Sequence, residues 1–367
     1  MPGQHPAGAR PQQTTADSPH NTHPSVELQQ LLKQGVAFID LRAPAEFALG
    51  AVPNAVNLPL LTDDERQQIG ITYSRSGADA AQALGHELVA GATRDRRISG
   101  WLDFATLHPD AWLYCWRGGL RSQIAQSWLD DLGVSLPRVA GGFKALRRTC
   151  LEILQSVPGA KPWLIIGGRT GSGKTDLLQQ HSASIDLEGF ANHRGSAFGA
   201  RMTQQPTSID FENSLAVAWL QHQDPQVLLE DESRTIGRLA IPQVWHAQMQ
   251  QSPLLILDVE MDVRAKNISR EYVREPLEDG VAEADLHTRY SEALQRISKR
   301  LGGTRHKQVQ AALTAGFANG DHGNWIELLL RWYYDPMYDY QLEKKLDRVI
   351  ARGTGPQLLK VVDDMIE

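Results

Sequence analysis

The chain has 367 residues, of which 41% are hydrophobic and 22% are charged, proportions that are ordinary for a globular protein. This length is too great for one typical core and predicts two domains with a helical extension. The formal net charge of −6 disfavours a protein that coats nucleic acid through bulk positive charge. No apolar run approaches the roughly 20 residues needed to cross a bilayer, and two cysteines cannot build a disulfide framework, so we expect a cytoplasmic protein with no membrane contact.

The first part of the chain combines a polar tail with a segment of alternating strands and helices. Residues 1–24 are rich in Pro, Gln, Thr and His and lack the apolar segment of a secretory signal, so we expect a disordered tail. Residues 25–154 are predicted to contain strands at VAFIDL, AVNLPL and AWLYC. Helices are predicted at PAEFALG, at about residues 79–90 and at RSQIAQSWLDDLG. Strands that alternate with helices predict a parallel sheet.

A second α/β domain is predicted beyond a short linker. The linker spans residues 155–162 and contains two prolines and a glycine. The core of the second domain, residues 163–262, contains apolar strands at WLIIGG, VLLED and LLILDV. The last two strands end in acidic residues, which is typical of strand ends that face a site. Residues 263–367 are charged, poor in strands and predicted to be mostly helical.

The stretch YCWRGGLRS places a cysteine at the start of a loop that has two glycines and two arginines. Because the loop leads into a predicted helix, Cys115 is expected near a helix N-terminus, Arg117 and Arg121, all of which favour the thiolate. The backbone N–H groups of Gly118 and Gly119, together with Arg121, are predicted to bind an oxyanion next to the sulfur. The alternative is a buried structural cysteine.

Residues 115–121, here called the Cys115 loop, have five residues between the cysteine and the second arginine. Cysteine phosphatases use this spacing to hold a phosphate, and some members of the sulfur-carrying rhodanese fold have the same longer loop. The loop has room for a tetrahedral anion, such as a phosphate that carries sulfur or selenium. The spacing does not choose between transfer and hydrolysis. Cys150 lies on a predicted helix without these features and is interpreted as structural.

The stretch GRTGSGKT fits the phosphate-binding pattern G-x-x-x-x-G-K-[ST] and lies between a predicted strand and a predicted helix. We expect Lys174 to contact the terminal phosphates and the Thr175 hydroxyl to bind Mg²⁺. The predicted phosphate-binding residues are Gly168, Gly171, Ser172, Gly173, Lys174 and Thr175. Candidates for metal or phosphate binding at a later strand end are Glu230, Asp231, Glu232 and Arg234. The pattern does not distinguish a nucleotide from another diphosphate.

Several stretches together resemble one family. IDLRAPAEF and GAVPNAVNLP are similar to the first signature of a rhodanese domain, YCWRGGLRS resembles its active loop, and a P-loop follows in the same chain. The match extends through SGADAAQALGHELVAG, VAGGFKALRR, DLEGFANHRGSAFG, LEDESRTIG and YYDPMYDYQLEKK. From about Val26 onward the chain resembles the tRNA 2-selenouridine synthases. It departs from general rhodaneses at Ala51 and Asn54, where G-H-I-P-G is usual.

The resemblance implies an α/β protein with an N-terminal rhodanese-like parallel-sheet domain, followed by a P-loop NTPase-like α/β domain with a helical C-terminal extension. It also implies a two-stage reaction on the wobble uridine of tRNA. A 2-thiouridine is first S-alkylated by a prenyl diphosphate, geranyl diphosphate in this family, and the S-prenyl group is then replaced by selenium from selenophosphate. Mg²⁺ is a candidate cofactor, and ATP is not clearly required. The implied partners are tRNA and an enzyme that supplies selenophosphate.

The resemblance also suggests roles for individual residues. Cys115 is the candidate nucleophile or selenium acceptor of the selenophosphate step, and we expect the P-loop to serve the prenyl diphosphate. Gly85 and His86, in an alanine- and glycine-rich helix, are candidates for an apolar prenyl channel between the domains, with a close-packed helix as the alternative. The candidate tRNA-binding residues, for which a solvated helix face is the alternative, are Arg296, Lys299, Arg300, Arg305 and Lys307, with Arg147 and Arg148 near the domain junction.

Aromatic and polar residues supply three further candidates. Trp116 is a candidate for stacking on a base. The loop His193–Gly199 is a candidate for closing over the bound phosphates. Stacking on RNA bases is one interpretation of a group of tyrosines, and packing in the core is the alternative: Tyr333, Tyr334, Tyr338 and Tyr340.

The sequence leaves two alternative functions. The first is a rhodanese-type cysteine phosphatase or sulfurtransferase fused to an ATP-dependent kinase-like domain, which accounts for both loops but for none of the linking blocks. The second is a non-enzymatic tRNA-binding or sulfur-relay scaffold whose loops only carry ligands.

Overall fold

The structure, a computed structural model, describes residues 24–365. The tail predicted for residues 1–24 therefore lies outside the described residues, except for Pro24, where the first helix begins. The elements of the N-terminal domain are α1 (Pro24–Gln34), β1 (Phe38–Asp40), α2 (Pro44–Ala48), β2 (Ala55–Asn57), α3 (Asp63–Leu88), α4 (Gly91–Leu107), β3 (Trp112–Tyr114), α5 (Leu120–Asp130) and α6 (Gly142–Ser156).

The three strands of this domain form a parallel sheet in the order β2-β1-β3. In this register Ile39 is aligned with Val56 on one side and with Leu113 on the other. The central strand is completely buried, as its apolar sequence predicts. The predicted parallel sheet is thus confirmed, and the Cys115 loop begins at the carboxyl end of its third strand.

The helix predicted at about residues 79–90 is the second half of a longer element, α3. Thr62 caps this helix: its hydroxyl accepts a hydrogen bond from the Glu65 N–H at 3.3 Å, and the Glu65 carboxylate accepts one from the Thr62 N–H at 2.7 Å. The helical backbone is interrupted at Gly77, where φ is +85°. The segment after this break is placed opposite α5, and an apolar pocket lies between them.

The second domain begins with the strand that precedes the P-loop. Its first elements are β4 (Trp163–Gly168), α7 (Lys174–Leu178), α8 (Leu187–Ala191), α9 (Ser208–Gln221), β5 (Val227–Glu230), β6 (Thr235–Ile236), β7 (Leu239–Ala240), α10 (Gln243–Met249) and β8 (Leu254–Leu257). The strands β5, β4 and β8 are parallel neighbours, and every residue in them is buried. The apolar runs seen in the sequence therefore form the centre of the predicted P-loop domain.

The remaining elements follow in the C-terminal part of the chain. They are α11 (Met261–Ser269), α12 (Glu275–Glu278), α13 (Glu283–Leu301), α14 (Gly303–Asn319), α15 (Gly323–Leu329), α16 (Asp335–Glu343), β9 (Val349–Gly353) and α17 (Gly355–Asp364), with π-helical segments at Arg270–Arg274 and Leu330–Tyr334 and a 3₁₀ turn at Leu346–Arg348. Helices α11 to α15 and the two π-helical segments enclose a separate apolar core around Tyr290, Leu294 and Trp325. None of the helices between residues 24 and 365 combines the length and apolar content required to cross a bilayer.

The predicted boundary at residue 262, between the core of the second domain and the helical part, divides elements that belong to one sheet. β9 adds a fourth parallel strand to the sheet, next to β8. Helix α17 covers the same sheet, because Leu358 and Val362 are buried in one cluster with Leu255. β9 is an edge strand whose residues are partly exposed. Such a strand needs no continuous apolar run, so its sequence, VIARG, gives no clear strand signal. The P-loop core therefore includes the last described residues of the chain.

The two domains share one apolar core. Leu146 of α6 and Leu215 of α9 are both fully buried in it. Polar contacts join the same surfaces: the Ala51 N–H donates to Asp210 at 2.8 Å, and the Asn213 amide donates to the Ala51 carbonyl at 2.7 Å. Arg147 donates to Asn213 and forms an ion pair with Glu212, so this candidate tRNA-binding residue instead holds the domains together.

Candidate active site

The Cys115 loop connects β3 to α5 and packs against the start of α6. Cys115 is 3% exposed, and its Sγ lies 3.4 Å from the Ser122 hydroxyl oxygen. The backbone N–H of Phe143 donates to the Cys115 carbonyl at 2.9 Å. Only glycine fits at position 142, because a Cβ on Gly142 would lie 2.2 Å from that same carbonyl oxygen. The first turn of α6 thus fixes the loop that positions the sulfur.

A buried ion pair supports the loop from the neighbouring strand. Asp40 and Arg42, at the end of β1, are completely buried, and their charged groups are 2.6 Å apart. The Arg42 guanidinium lies 3.7 Å from the centre of the Phe143 ring and 5.8 Å from that of Trp116. This pair therefore connects β1 to α6 and to the exposed tryptophan of the loop. Both residues lie at the end of the predicted strand VAFIDL, and the sequence predicts no role for either.

Arg121 is held by a carboxylate for which the sequence gives no signal. Its guanidinium donates to Glu46 of α2, with distances of 2.6 Å from Nη1 to Oε2 and 3.2 Å from Nη2 to Oε1. The two residues are 75 positions apart, so no local pattern indicates the pair. Burial by itself raises the pKa of Glu46, but the hydrogen bond and charge of Arg121, together with the Ala43 N–H and the charge of Arg66, outweigh burial and lower that pKa. Arg117 is exposed.

A groove and an apolar pocket open next to Arg121. The groove has a volume of about 720 Å³ and is lined in part by Glu46 and Trp116, whose side chain is 37% exposed. The pocket has a volume of about 230 Å³ and lies between α3 and α5. Four residues line both spaces and make them continuous: Leu61, Ile69, Tyr73 and Arg121.

The candidate prenyl residues Gly85 and His86 both line this apolar pocket. The expected channel between the domains is wrong, however, because all residues that line the pocket belong to the N-terminal domain. The sequence of α3 alone does not predict the position of the pocket, because the opposite wall is supplied by α5 and by the loop at Leu60. The pocket thus lies beside the Cys115 loop, and none of its lining residues lines the pocket at the P-loop.

The P-loop occupies the turn between β4 and α7, as predicted. It faces a pocket of about 520 Å³. The Lys174 ammonium donates to the Gly168 carbonyl at 3.2 Å, which bends the side chain back over the loop. The Thr175 hydroxyl donates to the Glu230 carboxylate at 2.7 Å. β4 and β5 are adjacent parallel strands, so their carboxyl ends bring the P-loop and Glu230 to the same edge of the sheet.

Three buried carboxylates meet beside Thr175. Glu188, Glu230 and Glu232 each offer an oxygen, and these oxygens all lie within 4.8 Å of one another. Carboxylate and hydroxyl oxygens are the ligands that Mg²⁺ prefers, so this donor set fits the predicted ion. The sequence identified two of the three residues. Glu188 was missed because it lies on α8, far from the strand end in sequence.

The acidic cluster has strongly shifted proton affinities. Burial, followed by the charges of Glu230 and Glu232, raises the pKa of Glu188 to about 10. Burial and Glu230 raise the pKa of Glu232 to about 7, and burial also raises the pKa of Glu230. Three negative charges in a buried space repel one another, so the cluster retains protons near neutral pH. A divalent cation would reverse this preference.

Of the other candidate residues around the P-loop, some line the pocket and Asp231 forms an ion pair beside it. Asp231 does not join the acidic cluster, because it forms an ion pair with Lys345 at 2.7 Å. Arg234 is exposed and lines the pocket. Of the loop His193–Gly199, residues 194–197 also line it, and a Cβ on Gly195 would lie 2.4 Å from the Glu188 carboxylate. This loop therefore lies directly against the acidic cluster.

The tyrosine group separates into core and surface residues. Tyr333 and Tyr334 are buried, in agreement with packing in the core, and Tyr338 lines the P-loop pocket. Tyr340 is 57% exposed, with the Lys344 ammonium 3.9 Å from its ring centre. The five candidate tRNA-binding residues are all exposed on α13 and α14: Arg296, Lys299, Arg300, Arg305 and Lys307.

Two family models match the chain. A model described as the tRNA 2-selenouridine synthase AAA domain covers residues 161–367, and one described as a rhodanese-like domain covers residues 25–149. The chain belongs to the tRNA 2-selenouridine synthase family. This confirms the resemblance and the fold class inferred from the sequence.

Similar proteins in the family cover nearly the whole chain. A tRNA 2-selenouridine synthase from Cupriavidus necator is 46% identical over 346 residues, which is 90% of this chain and 94% of the relative. One from Shewanella oneidensis is 42% identical over 359 residues, which is 93% of this chain and 96% of the relative. A third, from Shewanella frigidimarina, is 45% identical over 347 residues, covering 90% of this chain and 95% of the relative.

Proposed function

We propose that the chain converts the wobble 2-thiouridine of tRNA to 2-selenouridine in two steps, prenylation of the sulfur and replacement of the S-prenyl group by selenium. The observation that carries this proposal is that one chain of this family has two separate loops rich in glycine and basic residues, each at the carboxyl end of a parallel strand. The Cys115 loop suits a tetrahedral anion, and the P-loop suits a diphosphate with Mg²⁺. Selenophosphate is a tetrahedral anion that suits the Cys115 loop, and a prenyl diphosphate such as geranyl diphosphate suits the P-loop.

In the first step, the sulfur of 2-thiouridine attacks C1 of the prenyl diphosphate. The C–S bond forms, the C–O bond to the diphosphate breaks, and the base loses its N3 proton. The backbone N–H groups of the P-loop and the Lys174 ammonium bind the diphosphate and stabilise the charge that develops on it. ATP is not a reactant in this scheme.

The residues that would hold Mg²⁺ are Thr175, Glu188, Glu230 and Glu232. When bound, the ion supplies positive charge that offsets the charge of the diphosphate. The loop at Gly195 and the Arg234 side chain lie where they would contact the far side of the same anion. These assignments follow from the position of the residues around one pocket.

In the second step, the phosphate end of selenophosphate lies in the Cys115 loop. The thiolate of Cys115 attacks phosphorus, an S–P bond forms, and the P–Se bond breaks to release hydroselenide. The selenium then bonds to C2 of the base as the C2–S bond breaks, and the prenyl sulfur leaves as a thiol with one proton. Water cleaves the S–P bond and releases phosphate.

Transfer of the phosphoryl group is the role of Cys115 that balances without a further reagent. If Cys115 carried selenium as Cys–S–Se, release of that selenium would need a reductant. The Ser122 hydroxyl donates to the Gly119 carbonyl at 2.9 Å and lies 3.4 Å from Sγ, so it can turn to donate to the thiolate only by giving up that hydrogen bond. Prior S-alkylation makes chemical sense, because a prenyl thiol leaves C2 more readily than the unmodified sulfur does.

The proposal is tested by incubating the full chain with thiolated tRNA, geranyl diphosphate, selenophosphate and Mg²⁺, followed by mass spectrometry of the wobble nucleoside. We expect S-geranyl-2-thiouridine when selenophosphate is omitted and 2-selenouridine when it is added. Formation of 2-selenouridine without any prenyl diphosphate would contradict the two-step scheme. Hydrolysis of para-nitrophenyl phosphate with no change in the tRNA would favour a cysteine phosphatase instead. The selenophosphate itself requires a supplying enzyme.

A further inference from the structure

The apolar pocket between α3 and α5 shares no lining residue with the pocket at the P-loop. Its floor consists of buried apolar side chains, Leu60, Leu61, Ala81 and Val89. The wall supplied by α5 is also apolar, at Leu120, Ile124 and Trp128. A pocket of about 230 Å³ with such a lining fits a short hydrocarbon group and offers little to a polar one.

Among the polar residues of the lining, Tyr73 and Arg121 stand where the pocket joins the groove, whereas Gln82 and His86 belong to the pocket alone. Arg121 lines both spaces, and it leads to Glu46 and Trp116 in the groove. A ligand that fits both spaces has an apolar tail in the pocket and a polar, planar part beside Trp116. An S-prenylated nucleobase has this arrangement, since its prenyl group is attached directly to the ring through sulfur.

We propose that this pocket binds the prenyl group of the S-prenylated nucleotide during the selenium step and holds the prenyl thiol as it leaves. The inference rests on the proposed function and deepens it. It assigns the prenyl group to the Cys115 side of the molecule in the second step, whereas the diphosphate of the prenyl donor is bound at the P-loop in the first. The two pockets have no described lining residue in common, so the nucleotide changes its place between the steps.

This arrangement gives the second step a means of selecting its substrate. The unprenylated 2-thiouridine lacks the group that fills the pocket, so it gains no apolar burial there. A prenylated base gains that burial at the site where the sulfur must leave, and the bound tail orients C2 toward the selenium source. The prenyl group therefore acts as a recognition element for selenation as well as part of the leaving group.

The test compares two RNA stem–loops that carry S-geranyl- or S-methyl-2-thiouridine, each incubated with the full chain and selenophosphate. We expect the wild type to selenate the S-geranyl RNA at least about tenfold more efficiently, judged by kcat/KM. The Ala78→Phe variant places a ring at the mouth of the pocket. In this variant the ratio of kcat/KM for the S-geranyl RNA to kcat/KM for the S-methyl RNA should fall to within about twofold of one. The matched control is Ala83→Phe, an exposed position on the same helix outside the pocket, and it should keep the wild-type ratio.

A second variant tests the pocket in the opposite direction. Ile69→Ala should enlarge the pocket and increase the relative rate with an S-farnesyl RNA over the S-geranyl RNA. Absence of 2-selenouridine in the wild type with every RNA would overturn the proposed function and this inference with it. Equal kcat/KM for S-geranyl and S-methyl RNA, or the same ratio in Ala78→Phe and Ala83→Phe, would overturn the inference alone.

Discussion

The guanidinium of Arg121 and the carboxylate of Glu46 are joined by two hydrogen bonds, the shorter of which is 2.6 Å. The pair is largely buried, with 22% of the Arg121 side chain and 12% of the Glu46 side chain exposed. Because the pKa of Glu46 is lowered, the pair is ionised at neutral pH. An anion that enters the Cys115 loop must therefore compete with Glu46 for the arginine.

Replacing Glu46 should strengthen anion binding at the Cys115 loop. Glu46→Gln removes a negative charge next to the anion and frees Arg121, so we expect inorganic phosphate to bind about 3- to 10-fold more tightly in calorimetric titrations. The matched control is Glu65→Gln, which removes a similar pair with Arg97 outside the groove and should leave the affinity unchanged. Weaker phosphate binding in Glu46→Gln would mean that Glu46 positions the arginine instead of competing for it.

The acidic cluster should make the metal-free protein less stable as the pH rises. The pKa of Glu232 is raised to about 7 from an ordinary value of 4.5, so the folded state binds the proton more tightly than the unfolded state does. The contribution of Glu232 to the free energy of unfolding is therefore greatest below about pH 4.5 and is lost as the pH rises through about 7. Glu232→Gln should raise the free energy of unfolding at pH 8 by about 1–3 kcal/mol.

Urea unfolding at several pH values checks this second prediction. At pH 4 the variant and the wild type should differ little, because Glu232 is protonated in both states. Glu87→Gln, an exposed position on α3, serves as the control and should have no effect at either pH. A stability gain of Glu232→Gln that is equal at pH 4 and pH 8 would show that charge burial is not its cause.

The sequence predicts those parts of the site that depend on residues close together in the chain. The P-loop follows a strand and precedes a helix, and the Cys115 loop does the same, so the strand and helix patterns place both correctly. Glu230 could be predicted because it ends an apolar strand, and parallel strands bring their carboxyl ends to one edge of the sheet.

The sequence does not predict contacts made between distant elements. Glu46 meets Arg121 across 75 positions, and Lys345 meets Asp231 across 114. Glu188 joins the acidic cluster only because the fold brings its carboxylate close to Glu230, at the end of β5, and to the loop at Gly195. Such pairs depend on tertiary packing, which single-sequence patterns do not encode. The same reason explains why the candidate prenyl residues Gly85 and His86 were expected to lie between the domains.

The contact between the domains should depend on Asn213. Its side-chain amide donates to the buried Ala51 carbonyl at 2.7 Å and its carbonyl accepts from Arg147 at 2.8 Å. Asn213→Ala leaves both partners without these bonds, so we expect a loss of about 1–3 kcal/mol in the free energy of unfolding. Urea unfolding measures this loss, and Asn319→Ala, at the exposed end of α14, is the control. An unchanged unfolding midpoint would show that the interface does not need this amide.

The basic residues on α13 and α14 should contact tRNA phosphates. The triple variant Arg300→Ala, Arg305→Ala and Lys307→Ala should bind tRNA more weakly, and the slope of log affinity against log salt should become shallower by about 2. The control variant Lys266→Ala with Arg274→Ala removes exposed charges that already pair with carboxylates one helical turn away. Its slope should stay close to that of the wild type. Equal slopes in both variants would place tRNA on another surface.

The central claim is that the Cys115 loop and the P-loop serve two successive steps on the same nucleotide. The most direct measurement is mass spectrometry of the wobble nucleoside after single-turnover reactions of Cys115→Ser and Lys174→Ala. We expect Cys115→Ser to accumulate S-geranyl-2-thiouridine without selenium, and Lys174→Ala to slow prenylation at least about 100-fold yet still selenate RNA that is supplied already prenylated. Prenylation lost in Cys115→Ser, or unchanged in Lys174→Ala, would contradict this division of roles.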